Sequence, residues 1–441
     1  MQIYYKYLKR RNFCRFFLNR ILFCTFAPMK EMTKATREFI RLHAQEDVRQ
    51  LALQGGKNPD VDMRFALEQI AERQKALTKL PSWTAIEGIV YPPHISMEQC
   101  SSEPTARYKA KIAGEGDLFV DLTAGFGVDT AFIAKGFKQA VAIELQEHLC
   151  TISSQNFKLL GLDHVEVVCG NGLDYLHTLP HASLIFIDPA RRDEHGARTY
   201  GLADCTPNVL EIIDEMAEKA DKVMIKLSPM LDWRKAVNDI GSVSEVHIVS
   251  VNNECKELLL LVNSEKRIVN SERIGNREED LLKVVCVNLL PDGTEEHFEF
   301  DHPSPTTYHS SPITYHSSPI TYHYLYVPNA SIMKAGCFDL IAERYQIGQI
   351  DPNSHLFVSD AEVTDFPGRR FIIDKTTTMN KRELKEALTG VTRANIAVRN
   401  FPMTVAELRK RLKLQDGGDT YIFATTTANM GHQLFVCRKN S

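Results

Sequence analysis

The sequence predicts an α/β protein built on a mainly parallel sheet covered on both faces, with smaller α+β pieces after it. Three observations predict this. At 441 residues the chain exceeds what one compact core organises, so two or three domains are expected. From residue 117 short apolar runs alternate with helical stretches, and the runs are continuous, as in strands buried on both faces. Over 369–441 strand and helix patterns alternate again on a smaller scale.

Residues 1–32 stand apart as a basic extension. Lys6, Lys9, Arg10, Arg11, Arg15, Arg20 and Lys30 precede the first acidic residue, Glu31. A transit peptide or membrane-surface helix would look similar. Arg15 and Arg20 interrupt the apolar run and no small-residue cleavage site follows, so a start at Met29 or Met32 is the expected reading. Residues 33–112 read as a helical region. One helix, "TREFIRLHAQEDVRQLALQGG", is expected to stop at Gly55-Gly56, and a second to run from an Asp62 N-cap to the residue before Pro81.

The strands of the next domain (113–263) are "LFVDL" (118–122), "AVAIE" (140–144), "VEVVC" (165–169), "SLIFID" (183–188) and "KVMIKL" (222–227). "SEVHIVSV" (244–251) and "KELLLLV" (256–262) follow, separated only by "NNEC". Four residues cannot hold a helical crossover, so these two must pair antiparallel. Five parallel-type strands and a terminal antiparallel pair make the seven-stranded, Rossmann-like plan of class I methyltransferases. Within 264–368 a hairpin is expected around Pro291-Asp292-Gly293, followed by tandem "TYHSSPI" copies at 307–313 and 314–320. The repeats place His309, His316 and His323 seven residues apart, but Ser/Pro-rich repeats read as an extended surface loop, and no metal is expected. In 369–441 strands are expected at "RFIID", "ANIAVRNF", "TYIFATTT" and "QLFVCRK", and helices at "NKRELKEALTG" and "TVAELRKRLKL".

Composition narrows the setting. The chain is 44% hydrophobic and 24% charged, with a net charge of −4, as in ordinary globular proteins. Its ten cysteines form no C-x-x-C pair, which argues against zinc ribbons, iron–sulfur clusters and disulfide frameworks and fits a cytoplasmic protein. No apolar run approaches the ~18–20 residues of a membrane span. Residues 369–441 carry 14 lysines and arginines against 6 acids. In a chain that is negative overall, that surplus suits either a phosphate-rich partner or a solvated helix face.

"VDLTAGFGVDT" (120–130) joins the first strand to a helix, and Gly125 and Gly127 let bare backbone approach a ligand. A dinucleotide site would want a third glycine where Thr130 stands, preceded here by Asp129. Carboxylates at this mouth would repel a pyrophosphate and suit the positive charges of S-adenosylmethionine. Asp121, Thr123, Ala124, Gly125, Gly127 and Asp129 are therefore the expected cofactor loop. Glu144, ending the second strand, would accept the ribose hydroxyls, and Asn171 with Gly172 would meet the adenine.

The blocks "LPSW" (80–83), "MEQCSSEPTARYKA" (97–110), "DLTAGFGVD" (121–129), "DPARR" (188–192), "KLSPMLD" (226–232), "NECKELLL" (253–260), "FPGR" (366–369) and "ELRKRLKLQDGGDTYIFAT" (407–425) carry a resemblance. Over roughly 36–439 the chain resembles bacterial class I S-adenosylmethionine-dependent methyltransferases with a C-terminal THUMP-like domain. The resemblance implies N-terminal helices, the methyltransferase sheet, a ferredoxin-like α+β insert (264–368) and a THUMP-like domain (369–441). It also implies RNA as partner, since THUMP domains accompany RNA-modifying enzymes. The basic extension and the TYH repeats depart from the family pattern.

Asp188-Pro189 at the end of strand four resembles the D-P-P-aromatic signature of enzymes that methylate exocyclic amines, whose motif oxygens accept the amine N–H. Arg191 occupies the aromatic position here and, with Arg192, could stack on a base or grip phosphate. D-P-x-R also resembles uridine-C5 methyltransferases, which need a cysteine after strand five. "KLSPMLD" offers Ser228 and no thiol, so the reading is nitrogen methylation. Lys226 and Ser228 could contact substrate, or Lys226 could pair with Asp188. Tyr108 and Lys109 are candidates for a segment closing over the cofactor, or part of a packing helix. Methylation of a protein or small anionic molecule, and noncatalytic RNA binding on a methyltransferase scaffold, are the alternative functions.

Overall fold

A computed structural model describes residues 32–54, 59–190, 201–263, 281–302, 322–427 and 430–440. The basic extension, the TYHSSPI copies and both Arg191 and Arg192 lie outside the described residues. The chain divides into two compact units, one up to Ile187 and one from Asp188 onward.

The first unit begins with helices. The single helix expected over 36–56 is two, Lys34–Leu42 and Val48–Gln54. The reason is a second N-cap inside the run: Asp47 Oδ1 accepts the amides of Arg49 at 2.8 Å and Gln50 at 3.1 Å, starting a new helix. Met63–Lys79 starts where expected, with Asp62 accepting from the Phe65 amide. It buries Ala66, Ile70 and Ala76. Glu103–Ala113 carries Pro104 in its first turn, where no amide is missed, and ends at Gly114 with φ 77.

Strands β1 (Gly116–Asp121), β2 (Phe137–Glu144), β3 (Val165–Cys169) and β4 (Ala182–Ile187) follow. They are parallel, in the order β3-β2-β1-β4. Val120 lies opposite both Val141 and Ile185, and Phe119, Val120, Ile143 and Ile185 have no solvent exposure. That two-sided burial is what the continuous apolar runs encode.

The second unit holds β5 (Ala220–Leu227), β6 (Val243–Val251) and β7 (Glu254–Asn263). β7 lies between the other two and is antiparallel to each, as the short "NNEC" link requires. Asn252 (φ 51) and Asn253 (φ 64) make the turn; asparagine tolerates this left-handed region better than most residues. The expected hairpin forms as β8 (Leu282–Leu289) and β9 (Glu295–His302), with Gly293 at φ 84 in its turn. The sequence reading grouped this hairpin with the insert. In the structure β8 runs parallel to β6 and widens the sheet of β5, β7 and β6.

A separate seven-stranded sheet comprises β10 (Tyr324–Pro328), β11 (Gly348–Gln349), β12 (Phe357–Ser359), β13 (Gly368–Thr378), β14 (Asn395–Arg399), β15 (Thr420–Thr427) and β16 (Gly431–Lys439). Its order is β11-β12-β10-β13-β16-β15-β14. Because β10 pairs with β13, the insert and the C-terminal domain share one sheet. The helices Lys381–Ala387 and Val405–Leu412 form where expected, the latter opened by a Thr404/Glu407 capping box. Leu408 packs with Ala394, Ile422, Ala424 and Leu434 in one core.

A polar seam joins this sheet to β6–β9. The Asn253 amide donates to Asn288 Oδ1 at 2.8 Å, and Asn288 Nδ2 donates to Glu296 Oε2 at 2.9 Å. Asn329 Nδ2 reaches the same oxygen at 3.1 Å, while Asn253 Oδ1 accepts from the Ala330 amide at 2.8 Å. Asn288 and Asn329 are buried, so each amide must find its partner here.

Candidate active site

The loop after β1 is held from beneath. Asp121 is 1% exposed, its Oδ1 accepting the Thr123 amide at 3.0 Å and its Oδ2 the Thr130 hydroxyl at 2.6 Å. The carboxylate shapes the loop from inside the protein. Three further loop amides are also engaged. Ala124 N–H goes to the Ile143 carbonyl at 2.9 Å, Gly125 N–H to Glu144 Oε2 at 2.8 Å, and Gly127 N–H to the Ala124 carbonyl at 2.8 Å. A pyrophosphate site presents free converging amides, and these four already have acceptors.

The two loop glycines do different work. Gly127 (φ 80) sits where a β-carbon would meet the Phe157 ring at 2.6 Å, so packing forbids a side chain. Gly125 (φ 57) has no neighbouring atom within 4 Å of that position, so bare backbone faces open space. Gly170, after β3, is open in the same way. At Gly172 a β-carbon would stand 2.2 Å from the Leu122 carbonyl, which fixes a close helix–strand approach. Asn171 is exposed and caps the helix Gly172–Thr178 by accepting the Leu173 amide at 2.9 Å. Phe126, between the glycines, packs edge-on against Trp83 of the "LPSW" block, with ring centroids 5.2 Å apart.

The expected anionic mouth needs correction. Asp129 Oδ1 lies 3.2 Å from Lys109 Nζ, and its Oδ2 accepts the Ser101 hydroxyl at 2.7 Å. Lys109 Nζ also reaches Ser101 Oγ at 3.2 Å and has no solvent exposure. Asp129 is therefore neutralised by a buried ammonium and does not project bare charge toward a ligand. Of the two readings of Tyr108 and Lys109, a segment closing over the cofactor or a packing helix, their burial fits the second, Tyr108 being 3% exposed. Burial in the packing of Glu103–Ala113 removes them from the surface. Ser101 was not anticipated from sequence. Its partner lies 28 positions away, a separation that no local pattern reveals.

Glu144 ends β2 as predicted, with Oε1 accepting the Gln146 amide at 2.8 Å. Leu145 follows it and is 72% exposed, an apolar side chain presented beside an acid. That contrast, "EL" at a strand end, is the signal that sequence reasoning passed over. Cys150 donates to the Glu144 carbonyl at 3.2 Å. Burial, then the Cys169 thiol beside it, pushes the Cys150 thiol well above its ordinary range, so it is a neutral filler.

In the second unit Asp188 is the first residue after β4, and Pro189 is buried behind it. Ala190 and Thr206 exchange backbone hydrogen bonds at 2.8 and 2.9 Å, pinning the departing chain. Lys226, near the end of β5, forms an ion pair with Asp188 Oδ2. The Asp188 side chain is 37% exposed and that of Lys226 12%. Ser228 turns its hydroxyl onto the Met230 amide at 3.2 Å. Cys255 is pushed up to about 11, burial being the main cause, and Cys205 is buried; neither reads as an activated nucleophile.

No curated protein matches the sequence. A ferredoxin-like domain family matches residues 324–367 and a THUMP domain-like family residues 368–439. Among solved structures, a candidate methyltransferase from Porphyromonas gingivalis W83 is 29% identical, with a TM-score of 0.79, over 92% of this chain and 98% of that one. An RNA methyltransferase from Salinibacter ruber, in complex with S-adenosyl-L-homocysteine, is 14% identical over 41% of this chain and 97% of that one, with a TM-score of 0.28. TrmK from M. capricolum, in complex with the same cofactor product, is 14% identical over 36% and 67%, with a TM-score of 0.29. With strands β3-β2-β1-β4 in one unit and β5-β7-β6 in the other, this chain has the class I S-adenosylmethionine-dependent methyltransferase fold, extended by ferredoxin-like and THUMP-like C-terminal domains.

Proposed function

We propose that this chain is an S-adenosylmethionine-dependent methyltransferase that modifies RNA at a base nitrogen. The observation that carries the reading is the Glu144–Gly125 contact beside open backbone at Gly125 and Gly170. Each carboxylate oxygen has more than one lone pair, so Glu144 can hold the loop and still accept ribose hydroxyls. Leu145 offers apolar surface to an adenine, and exposed Asn171 a polar edge. A phosphate-free nucleoside needs hydroxyl acceptors, an apolar face and bare backbone, which is the set found here. When bound, this cofactor supplies an electrophilic methyl group on a sulfonium.

The acceptor side rests on Asp188. Its half-exposed carboxylate can accept an N–H from an exocyclic amine, and the ion pair with Lys226 holds it in place. Holding the N–H fixes where the nitrogen lone pair points and gives the departing proton somewhere to rest. Pro189, buried, narrows the motion of the turn that carries Asp188. Arg191 and Arg192, next along the chain, would meet a base or phosphate. The THUMP-like match and the 14 basic against 6 acidic residues of 369–441 support RNA as the substrate.

Titration calorimetry with S-adenosylmethionine, then transfer of its labelled methyl group to RNA from cells lacking this enzyme, tests the proposal. Saturable binding and label in RNA are expected. An absence of binding, or label found only in protein or small molecules, would sink it. Mass spectrometry of the labelled nucleosides would name the atom.

A further inference from the structure

The rim around Asp188 and Lys226, where the chain leaves β5, also presents an exposed apolar side chain. Met230 is 78% exposed, yet residues on both sides are anchored: Leu227 is 3%, Leu231 6% and Trp233 2% exposed. The turn between them is stiff. Pro229 fixes one backbone torsion, Ser228 Oγ accepts the Met230 amide at 3.2 Å, and the Ser228 carbonyl accepts the Leu231 amide at 3.1 Å. Asp232 then caps the helix Trp233–Ile240 through the amides of Arg234 and Lys235. An apolar side chain is thus presented to water by a turn that cannot easily fold it away, four residues beyond Lys226 and its partner Asp188. Single exposed apolar residues are common on proteins; Met230 is set apart by the turn that fixes it and by its place just after the strand that carries Lys226.

We propose that Met230 is the surface against which the face of the target base rests while Asp188 holds its amine edge, an inference that rests on the RNA reading above. A base presented for reaction needs contact on its flat face as well as its edge. Asp188-Pro189-Ala190-Arg191 has an arginine where an aromatic ring would stand, so an apolar contact for that face has to come from another stretch of the chain. A thioether on an unbranched chain is polarizable, favours contact with aromatic faces and tolerates several base shapes. Apolar side chains, methionine among them, serve as wedges against partly unstacked bases.

The test measures methyl transfer from labelled S-adenosylmethionine into RNA from cells lacking this enzyme, alongside cofactor affinity by calorimetry. Met230→Ala is expected to lower kcat/KM about tenfold, mostly through KM, with cofactor affinity unchanged. Met230→Leu, which keeps an apolar side chain, should stay within about threefold of wild type. A diazirine analogue of methionine at position 230 should crosslink to RNA on irradiation. Wild-type kcat/KM in Met230→Ala, a loss that only follows cofactor affinity, or a crosslink to protein alone would each overturn the proposal. Should the wild-type enzyme label no RNA, the functional reading and this inference fall together. If it labels RNA and Met230→Ala does so equally well, only the inference falls.

Discussion

The charges of the cofactor loop and those of the rim are arranged in opposite ways. Around the loop they are buried and paired from within: Lys109 with Asp129 and Ser101, and Asp121 with Thr123 and Thr130. On the rim, Asp188 and Lys226 are paired yet in reach of solvent. Buried ion pairs rarely add net stability, but removing one partner leaves a charge stranded in low dielectric. A pair with one member, Asp188, partly open to water is screened more than one sealed inside. The loop is therefore built to keep one shape, while the rim can trade its internal contact for one with a substrate.

Mutations should separate the two. Asp188→Ala is expected to cut turnover about 10²–10⁴-fold in the labelled-methyl assay, with calorimetric cofactor affinity unchanged. A parallel loss of affinity would merge the two regions and break the distinction. Lys109→Met should act in the other direction, lowering folding stability by about 3–5 kcal/mol in chemical denaturation. Lys109→Met combined with Asp129→Leu should recover part of that loss, because no charge is then left buried; additive losses would argue against the pair. Glu144→Ala should weaken cofactor binding about tenfold, as expected for loss of one or two charge-assisted hydrogen bonds.

The smallest effect concerns pH. Burial would raise Glu103, but the Ser82 amide and the Arg107 guanidinium more than offset it and hold the carboxyl below 4.5. A carboxyl lowered in the folded state stabilises above its unfolded value and loses that contribution as pH falls through the folded one. Denaturation of wild type and Glu103→Gln should therefore differ at neutral pH, begin to approach each other near pH 4.5 and converge as pH falls through the lower, folded-state value. A constant gap would reject the assignment.

What could be read from the sequence follows how far each interaction reaches along the chain. The strands from 116 to 263 were legible because two-sided burial writes itself as a continuous apolar run. Asp62 and Gly293 were legible because caps and turns are local chemistry. The break at Asp47 is just as local and was missed, since the helical pattern on either side hid an N-cap within it. The partner of β8 was not legible: a hairpin's turn residues say that two strands pair with each other, not that one of them also joins β6. Asp129 failed for the same reason. Its acidity is written at position 129, but its neutralisation is written at 109 and 101.

The Asn253–Asn288–Glu296–Asn329 seam bears on how such proteins can be rebuilt. Three asparagines and one glutamate, drawn from four separate stretches of sequence, complete one another's valences. A chimera that borrowed the C-terminal sheet for another methyltransferase would have to import the Asn-Asn corner and Glu296 as well. Left behind, they would open an unsolvated gap at the graft, so the join belongs upstream of β6 and not at the edge of the borrowed domain.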